Sequence, residues 1–179
     1  MLIRSISGIR GLVSSDLTKQ SCHNFANAIH EIIPDGVIMI GRDTRPSGEV
    51  LLENVSNQLL NCGRNVITLG IVPTPTIQYM VQNTEAQGGI VITASHNPIE
   101  WNGFKFIRND GTFFRPNECQ NLFSIMDKNN FTKHEHALGV IMQDVNAVQK
   151  HIINILGLSC IDISQIRKRR FNVVIDAVN

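Results

Sequence analysis

Apolar positions recur along the chain with two alternating periods, and each change of period marks an element. Leu2 to Ile6 predicts a short first strand. Ser7-Gly8-Ile9-Arg10-Gly11 then predicts a glycine-flanked turn whose backbone can approach a ligand closely. Thr18 is placed as an N-cap, and Cys22, Phe25, Ala26, Ile29, Ile32 and Ile33 follow at helical spacing until the Pro34-Asp35-Gly36 turn. Val37 to Ile40 is a continuous apolar run, the pattern of a strand covered on both faces. Leu52, Val55, Leu59 and Cys62 share a helical face that Gly63 closes. Asn65 to Leu69 is the next strand, and Thr74 and Pro75 are the cap and first-turn proline of a short helix bearing Ile77, Met80 and Val81. Gly89 to Thr93 is a buried strand rich in β-branched residues.

The resulting order, β, α, β, α, β, α, β, predicts an α/β fold: a three-layer α/β/α domain with a mostly parallel mixed sheet. Further on, Phe104 and Phe106 fall on one face of a strand and Lys105 on the other. Asn109-Asp110-Gly111 predicts a hairpin turn with Thr112 to Phe114 returning, and Pro116 starts a helix through Met126. Asp127 to Gly139 is polar and aperiodic, as in a linker. Val145, Val148, Ile152, Ile155 and Leu156 predict an amphipathic helix, Ile161 to Arg169 another, and Phe171 to Ile175 a strand. The expected organisation is a domain over residues 1–138, then linker helices and the first strand of a truncated second domain over 139–179. The strand so close to the terminus reads as the sign of a fragment.

Composition narrows the function classes. A chain of 179 residues can bury a real core, and its net charge of +1 supplies no global field toward nucleic acid or an acidic membrane. Arg167-Lys168-Arg169-Arg170 reads as a solvated helix end, because cations suit a helix C-terminus. Cys22, Cys62, Cys119 and Cys160 include no Cys-x-x-Cys pair, which argues against zinc and a disulfide framework and for a reducing cytoplasm. No apolar run reaches membrane-spanning length, and Met1 to Ile6 lacks a signal-peptide core. His134-Glu135-His136 reads as a solvated loop, since neighbouring ligands on a loop need partners from elsewhere to hold a metal.

The chemistry concentrates after the strand at Gly89 to Thr93. Ala94-Ser95-His96-Asn97-Pro98 places a hydroxyl and an imidazole at the C-terminal end of a strand, where open α/β sheets bind ligands. A plain polar turn, with Ser95 and Asn97 capping backbone groups, fits the same residues. Gly41-Arg42-Asp43-Thr44-Arg45-Pro46-Ser47-Gly48 is a second strand-to-helix loop; Asp43 can neutralise either arginine, so a polar network beside a site is expected. Arg10 offers a donor fork suited to phosphate, or to an ordinary surface ion pair.

Four stretches together resemble the α-D-phosphohexomutase family, the phosphoglucomutases, phosphomannomutases and phosphoglucosamine mutases. They are Ser7 to Gly11, Gly41 to Gly48, Thr93 to Pro98, and Asn102-Gly103-Phe104-Lys105-Phe106. The likeness spans about residues 1–126 as the family's first domain, and the tail from about 140 is similar to the start of its second. It implies a four-domain enzyme that moves a phosphoryl group between the 1- and 6-positions of a hexose phosphate through a phosphoserine and a hexose bisphosphate. Carried onto this chain, Ser95 is the phosphoserine, His96 its neighbour, and Arg10 and Lys105 line the site, with Lys105 a candidate proton carrier. Magnesium is the implied cofactor. The family's acidic magnesium loop lies in a domain absent here, so of the likely ligands this chain offers the phosphate on Ser95. The remaining mutase domains are the implied partners, and the fragment alone is expected to be inactive. A non-catalytic phosphosugar-binding module is the alternative. A serine hydrolase is disfavoured, because no Gly-x-Ser-x-Gly elbow is present. No Gly-x-Gly-x-x-Gly follows a strand, which speaks against a dinucleotide-binding domain.

Overall fold

A computed structural model describes residues 2–128, 131 and 137–176, so His134-Glu135-His136 lies outside the described residues. The elements in chain order are β1 (Ile3–Ser5), β2 (Gly8–Leu12), α1 (Lys19–Ile32), β3 (Ile38–Arg42), α2 (Ser47–Asn61), β4 (Val66–Ile71), α3 (Thr74–Gln82), β5 (Gly88–Ile92), β6 (Trp101–Arg108), α4 (Pro116–Lys128), β7 (Ile141–Gln143), α5 (Ala147–Leu156) and α6 (Ile163–Arg169). Seven strands form one mixed sheet in the order β1-β2-β6-β5-β3-β4-β7. β5, β3, β4 and β7 run parallel; β6, β2 and β1 add antiparallel on the other side of β5.

Strand periodicity divides the core into two. Ile38 and Ile40 of β3, Ile90 and Ile92 of β5, and Phe104 and Phe106 of β6 pack with α1, α2 and α4. Their neighbours Met39, Val91 and Ile107 pack with α3 and with Ala147 of α5. This is the alternation a sheet covered on both faces requires, and it gives the three expected layers. Phe25 of α1 meets Phe104 with ring centroids 5.0 Å apart. Thr18 does cap α1, its hydroxyl accepting the Ser21 N–H. The other end of α1 is closed by buried Arg64, which donates to the carbonyls of His30, Ile33 and Pro34. No helix among the described residues is long and apolar enough to cross a membrane.

Several local expectations are corrected. Ser7 to Gly11 is not a turn: Gly8 to Leu12 is strand β2, and the turn is confined to Ile6 and Ser7. Gly8 serves close approach instead, since a Cβ there would lie 2.0 Å from the Phe104 carbonyl oxygen, at a φ of 109°. Pro73, not Thr74, is the N-cap of α3. The return after Asp110 is a single bridge, Ile107 to Phe113, rather than a strand. Beyond the expected boundary at 138, β7 joins the sheet beside β4, and α5 docks on α3, where His151 stacks on Tyr79 at 4.9 Å. Phe171 to Ile175 forms no strand; Val173, Val174 and Ile175 are 73%, 96% and 84% exposed, and an isolated extended segment has no ladder to hold it.

Candidate functional site

β3 and β5 are adjacent and parallel, so their C-terminal loops emerge side by side, and β6 starts at the same end. The two loops enclose a cavity of about 430 Å³ lined by Asp43, Thr44, Arg45, Pro46, Thr93, Ser95, Asn97 and Ile99. After β5 the chain turns sharply, the Ala94 carbonyl accepting the Asn97 N–H at 3.1 Å. Ser95 occupies this turn with φ 57°, the left-handed region that favours glycine. Ser95 and His96 are exposed, and the Ser95 hydroxyl lies 3.4 Å from His96 Nδ1.

Asp43, Arg45 and Thr93 hold the turn. Thr93 Oγ1 donates to Asp43 Oδ2 at 2.7 Å and accepts the Ser95 N–H at 3.0 Å. Arg45 Nε donates to the same Asp43 oxygen at 3.2 Å. Its terminal nitrogens donate to the carbonyls of Ser95 (3.0 Å), Asn97 (2.6 Å), Pro98 (2.7 Å) and Trp101 (3.1 Å). The Arg45 side chain is 13% exposed. Arg42 lies outside this knot, donating to the Asp43 carbonyl and pairing loosely with Glu49 at 3.7 Å. Buried Asn102 fastens the start of β6 to α2 through the Ser47 hydroxyl at 2.9 Å.

Of the four candidate residues, the structure gathers three near the turn. Ser95 and His96 are on it, and Arg10 of β2 reaches it by donating from Nη1 to Asn97 Oδ1 at 3.2 Å. Lys105 stands apart: its ammonium lies 5.5 Å from the centre of the Phe113 ring, beside Ile6 and Ser7. Sequence reasoning found the Asp43 network in outline, missed the role of Thr93, and read Asn97 as a backbone cap, whereas its Oδ1 accepts from Arg10. The signal for Thr93 was its place two residues before Ser95, where a hydroxyl can accept a backbone N–H.

The protein groups do not by themselves form a magnesium cage. Asp43 is the carboxylate that lines the cavity, and both of its oxygens are engaged, Oδ1 by the Arg45 N–H and Oδ2 by Arg45 Nε and Thr93. No group of three or more His, Cys, Asp or Glu among the described residues is placed to hold a metal ion.

Residues 2–133 match the family described as phosphoglucomutase/phosphomannomutase, alpha/beta/alpha domain I. A phosphoglucosamine mutase from Methanococcus aeolicus is 36% identical over 174 residues, covering 96% of this chain and 36% of the relative. A phosphoglucosamine/phosphogalactosamine mutase from Sulfurisphaera tokodaii is 34% identical over 176 residues, covering 96% of this chain and 38% of the relative. The crystal structure of a phosphoglucomutase/phosphomannomutase family protein from Burkholderia thailandensis superposes with a TM-score of 0.73 at 23% identity, over 87% of this chain and 36% of that one, and so supports the fold. The chain thus spans little more than a third of the length of these relatives. With residues 2–133 matched by the family and relatives aligned over 96% of its length, the chain belongs to the phosphoglucomutase/phosphomannomutase family through its alpha/beta/alpha domain I.

Proposed function

We propose that this chain carries the phosphoryl-bearing serine of a phosphosugar mutase. The observation that supports it most is Ser95, an exposed hydroxyl on a non-glycine residue held at positive φ beside a polar cavity. Backbone strain of this kind persists where the surroundings over-determine it and gathers at functional sites. In this reading the Ser95 Oγ–P bond breaks as a bond forms between phosphorus and a hydroxyl oxygen of a hexose phosphate. The hydroxyl proton passes to a base, for which Lys105 and His96 are the candidates. The hexose bisphosphate then turns over and returns its other phosphate to Ser95, so that the phosphate moves between the 1- and 6-positions.

Phosphoryl transfer requires positive charge around the spread oxygens more than covalent chemistry. Arg10 is suited to that task, because its guanidinium is a fixed fork beside the Ser95 turn. Magnesium would supply further charge neutralisation at the phosphate; this chain's contribution to its ligands would be the phosphate on Ser95, the other ligands coming from elsewhere in the enzyme. The expected partners are a hexose phosphate, a hexose bisphosphate and the remaining mutase domains, in the cytoplasm. We assign residues 1–138 to the first domain with β7 and α5 docked on it. The segment from α6 onward, which buries no residue of α6, is assigned to the opening of a second.

The test is phosphorylation at Ser95. The complete enzyme incubated with a hexose bisphosphate is expected to carry phosphate on the peptide containing Ser95, and its Ser95→Ala variant to carry none. In the complete enzyme, Ser95→Ala should lower mutase turnover to near background. Undiminished turnover by that variant would overturn the reading. Binding of hexose bisphosphate without phosphoryl transfer by the complete protein would favour a phosphosugar-binding module instead.

A further inference from the structure

Every donor of the Arg45 guanidinium is spent within the protein. Nε serves Asp43, and the two terminal nitrogens serve four carbonyls, those of residues 95, 97, 98 and 101. A guanidinium has five N–H groups, so none remains for a phosphate. Arg45 is therefore not a ligand of the anion, although it lines the same cavity. Its bonds instead complete a ring that begins and ends at Ser95. The Ser95 N–H donates to Thr93 Oγ1, Thr93 Oγ1 donates to Asp43 Oδ2, Asp43 Oδ2 accepts Arg45 Nε, and Arg45 Nη2 donates to the Ser95 carbonyl. Both peptide groups of Ser95 are thereby restrained, at a φ of 57° that a residue with a Cβ does not adopt readily.

We infer that Arg45 is a positioning residue for Ser95: with Thr93 and Asp43 it holds the serine in its left-handed conformation and so aims the hydroxyl at the cavity. The kinetic consequence rests on the phosphoserine reading above; the conformational one does not. Lysine keeps the charge but presents one compact ammonium, which cannot span four carbonyls and a carboxylate in a fixed plane. Arg45→Lys is thus expected to release Ser95 toward negative φ while the fold, whose cores lie on either side of the sheet, persists.

The experiment measures the Ser95 Cα and Cβ chemical shifts by NMR, the melting temperature, and, in the complete enzyme, the rate at which Ser95 accepts phosphate from a hexose bisphosphate. In Arg45→Lys the shifts should leave the left-handed range and the rate should fall by about 10²-fold, the scale on which small misplacements act, with the affinity for the bisphosphate little changed. A role confined to stability would lower the melting temperature and leave the Ser95 shifts where they are, and that result in folded Arg45→Lys overturns the inference. Should Arg45→Lys not fold, Thr93→Val opens the same ring from its other side; unchanged Ser95 shifts in that variant overturn the inference equally. If wild-type Ser95 accepts no phosphate in the complete enzyme, the mutase reading fails, and the inference stands or falls on the shifts alone.

Discussion

Arg10 and Lys105 share a face of the sheet yet end in different places, and the reason is register. Arg10 lies opposite Gly103 in the β2–β6 ladder, and Lys105 is two residues further along β6. A period of two keeps both on one face but sets Lys105 about 7 Å further from the loop end of the strand than the position opposite Arg10. Arg10 can approach β6 there because position 103 is glycine: a Cβ would meet the Ile9 carbonyl oxygen at 2.2 Å and Arg10 Cγ at 3.1 Å. Lys105 rests over Phe113, an exposed cation–π contact of modest strength. For Lys105 to move a proton at Ser95 it must leave that ring, which its flexible four-carbon stem permits. In the complete enzyme, Lys105→Ala is expected to lower kcat by about 10²-fold, the scale of one general acid–base group, with KM changed only a few-fold. Steady-state kinetics check this, and wild-type values of both constants would return Lys105 to a surface role. Much of the candidate site's layout was legible in the sequence. Ser95, His96 and the Asp43 network announce themselves as polar residues after an apolar strand. The bond from Thr93 to Asp43 and the Phe113 contact were not legible, because each joins side chains of separate segments whose directions no spacing encodes.

At the scale of elements, those with local signals were readable and those that depend on distant partners were not. Thr18, the apolar stripe and Pro34 define α1 from within its own sequence. β2 was hidden because glycines that permit close strand approach look the same in sequence as glycines that permit a turn. β7 is three residues long with all three exposed, and its reason for being a strand is β4, more than sixty residues earlier. Phe171 to Ile175 has strand composition and no partner strand among the described residues, so composition alone misleads. The helix after β7 is anchored by a polar junction: the Asp144 N–H donates to the Thr68 carbonyl, Oδ1 accepts the Asn146 N–H, and Oδ2 pairs with Lys150 at 2.6 Å. The Lys150 hydrogen bond is the largest cause that holds the Asp144 carboxyl below its ordinary 3.8. A carboxyl depressed on folding contributes stability that is complete above 3.8 and is lost as pH falls through the lower folded value. Amide protons of α5 should therefore exchange faster, relative to their intrinsic rates, once pH drops below that value. Asp144→Asn should remove this acid dependence. Hydrogen exchange across a pH series checks it, and an equally steep acid response in Asp144→Asn would locate the cause elsewhere.

The whole molecule is unevenly finished. The sheet and its five packed helices close over two cores, and their largest side chains, such as Phe25, Phe104 and Met80, are almost fully buried. The C-terminal part is different. Ala147 is the buried residue of α5, whereas Ile152, Ile153, Ile155 and Leu156 are 43%, 60%, 38% and 45% exposed. The amphipathic pattern that predicts this helix is real, but its apolar residues are only partly spent on docking against α3. Residues Phe171 to Ile175 add further apolar surface. Contiguous exposed apolar surface drives association, because each square ångström removed from water is favourable by about 25 cal/mol. With a net charge of only +1, long-range repulsion does little to oppose it. Residues 1–179 on their own are thus expected to self-associate as concentration rises, more strongly in sulfate than in chloride, since excluded salts strengthen apolar burial. Sedimentation velocity over a concentration series measures this directly. Ile153→Lys with Val174→Lys, at positions 60% and 96% exposed, should suppress the association and leave the melting temperature nearly unchanged. A species that stays monomeric at every concentration would overturn this prediction. Association that survives both lysines would place the contact on another surface, the edge strand β1 with its exposed Ile3 being the next to test.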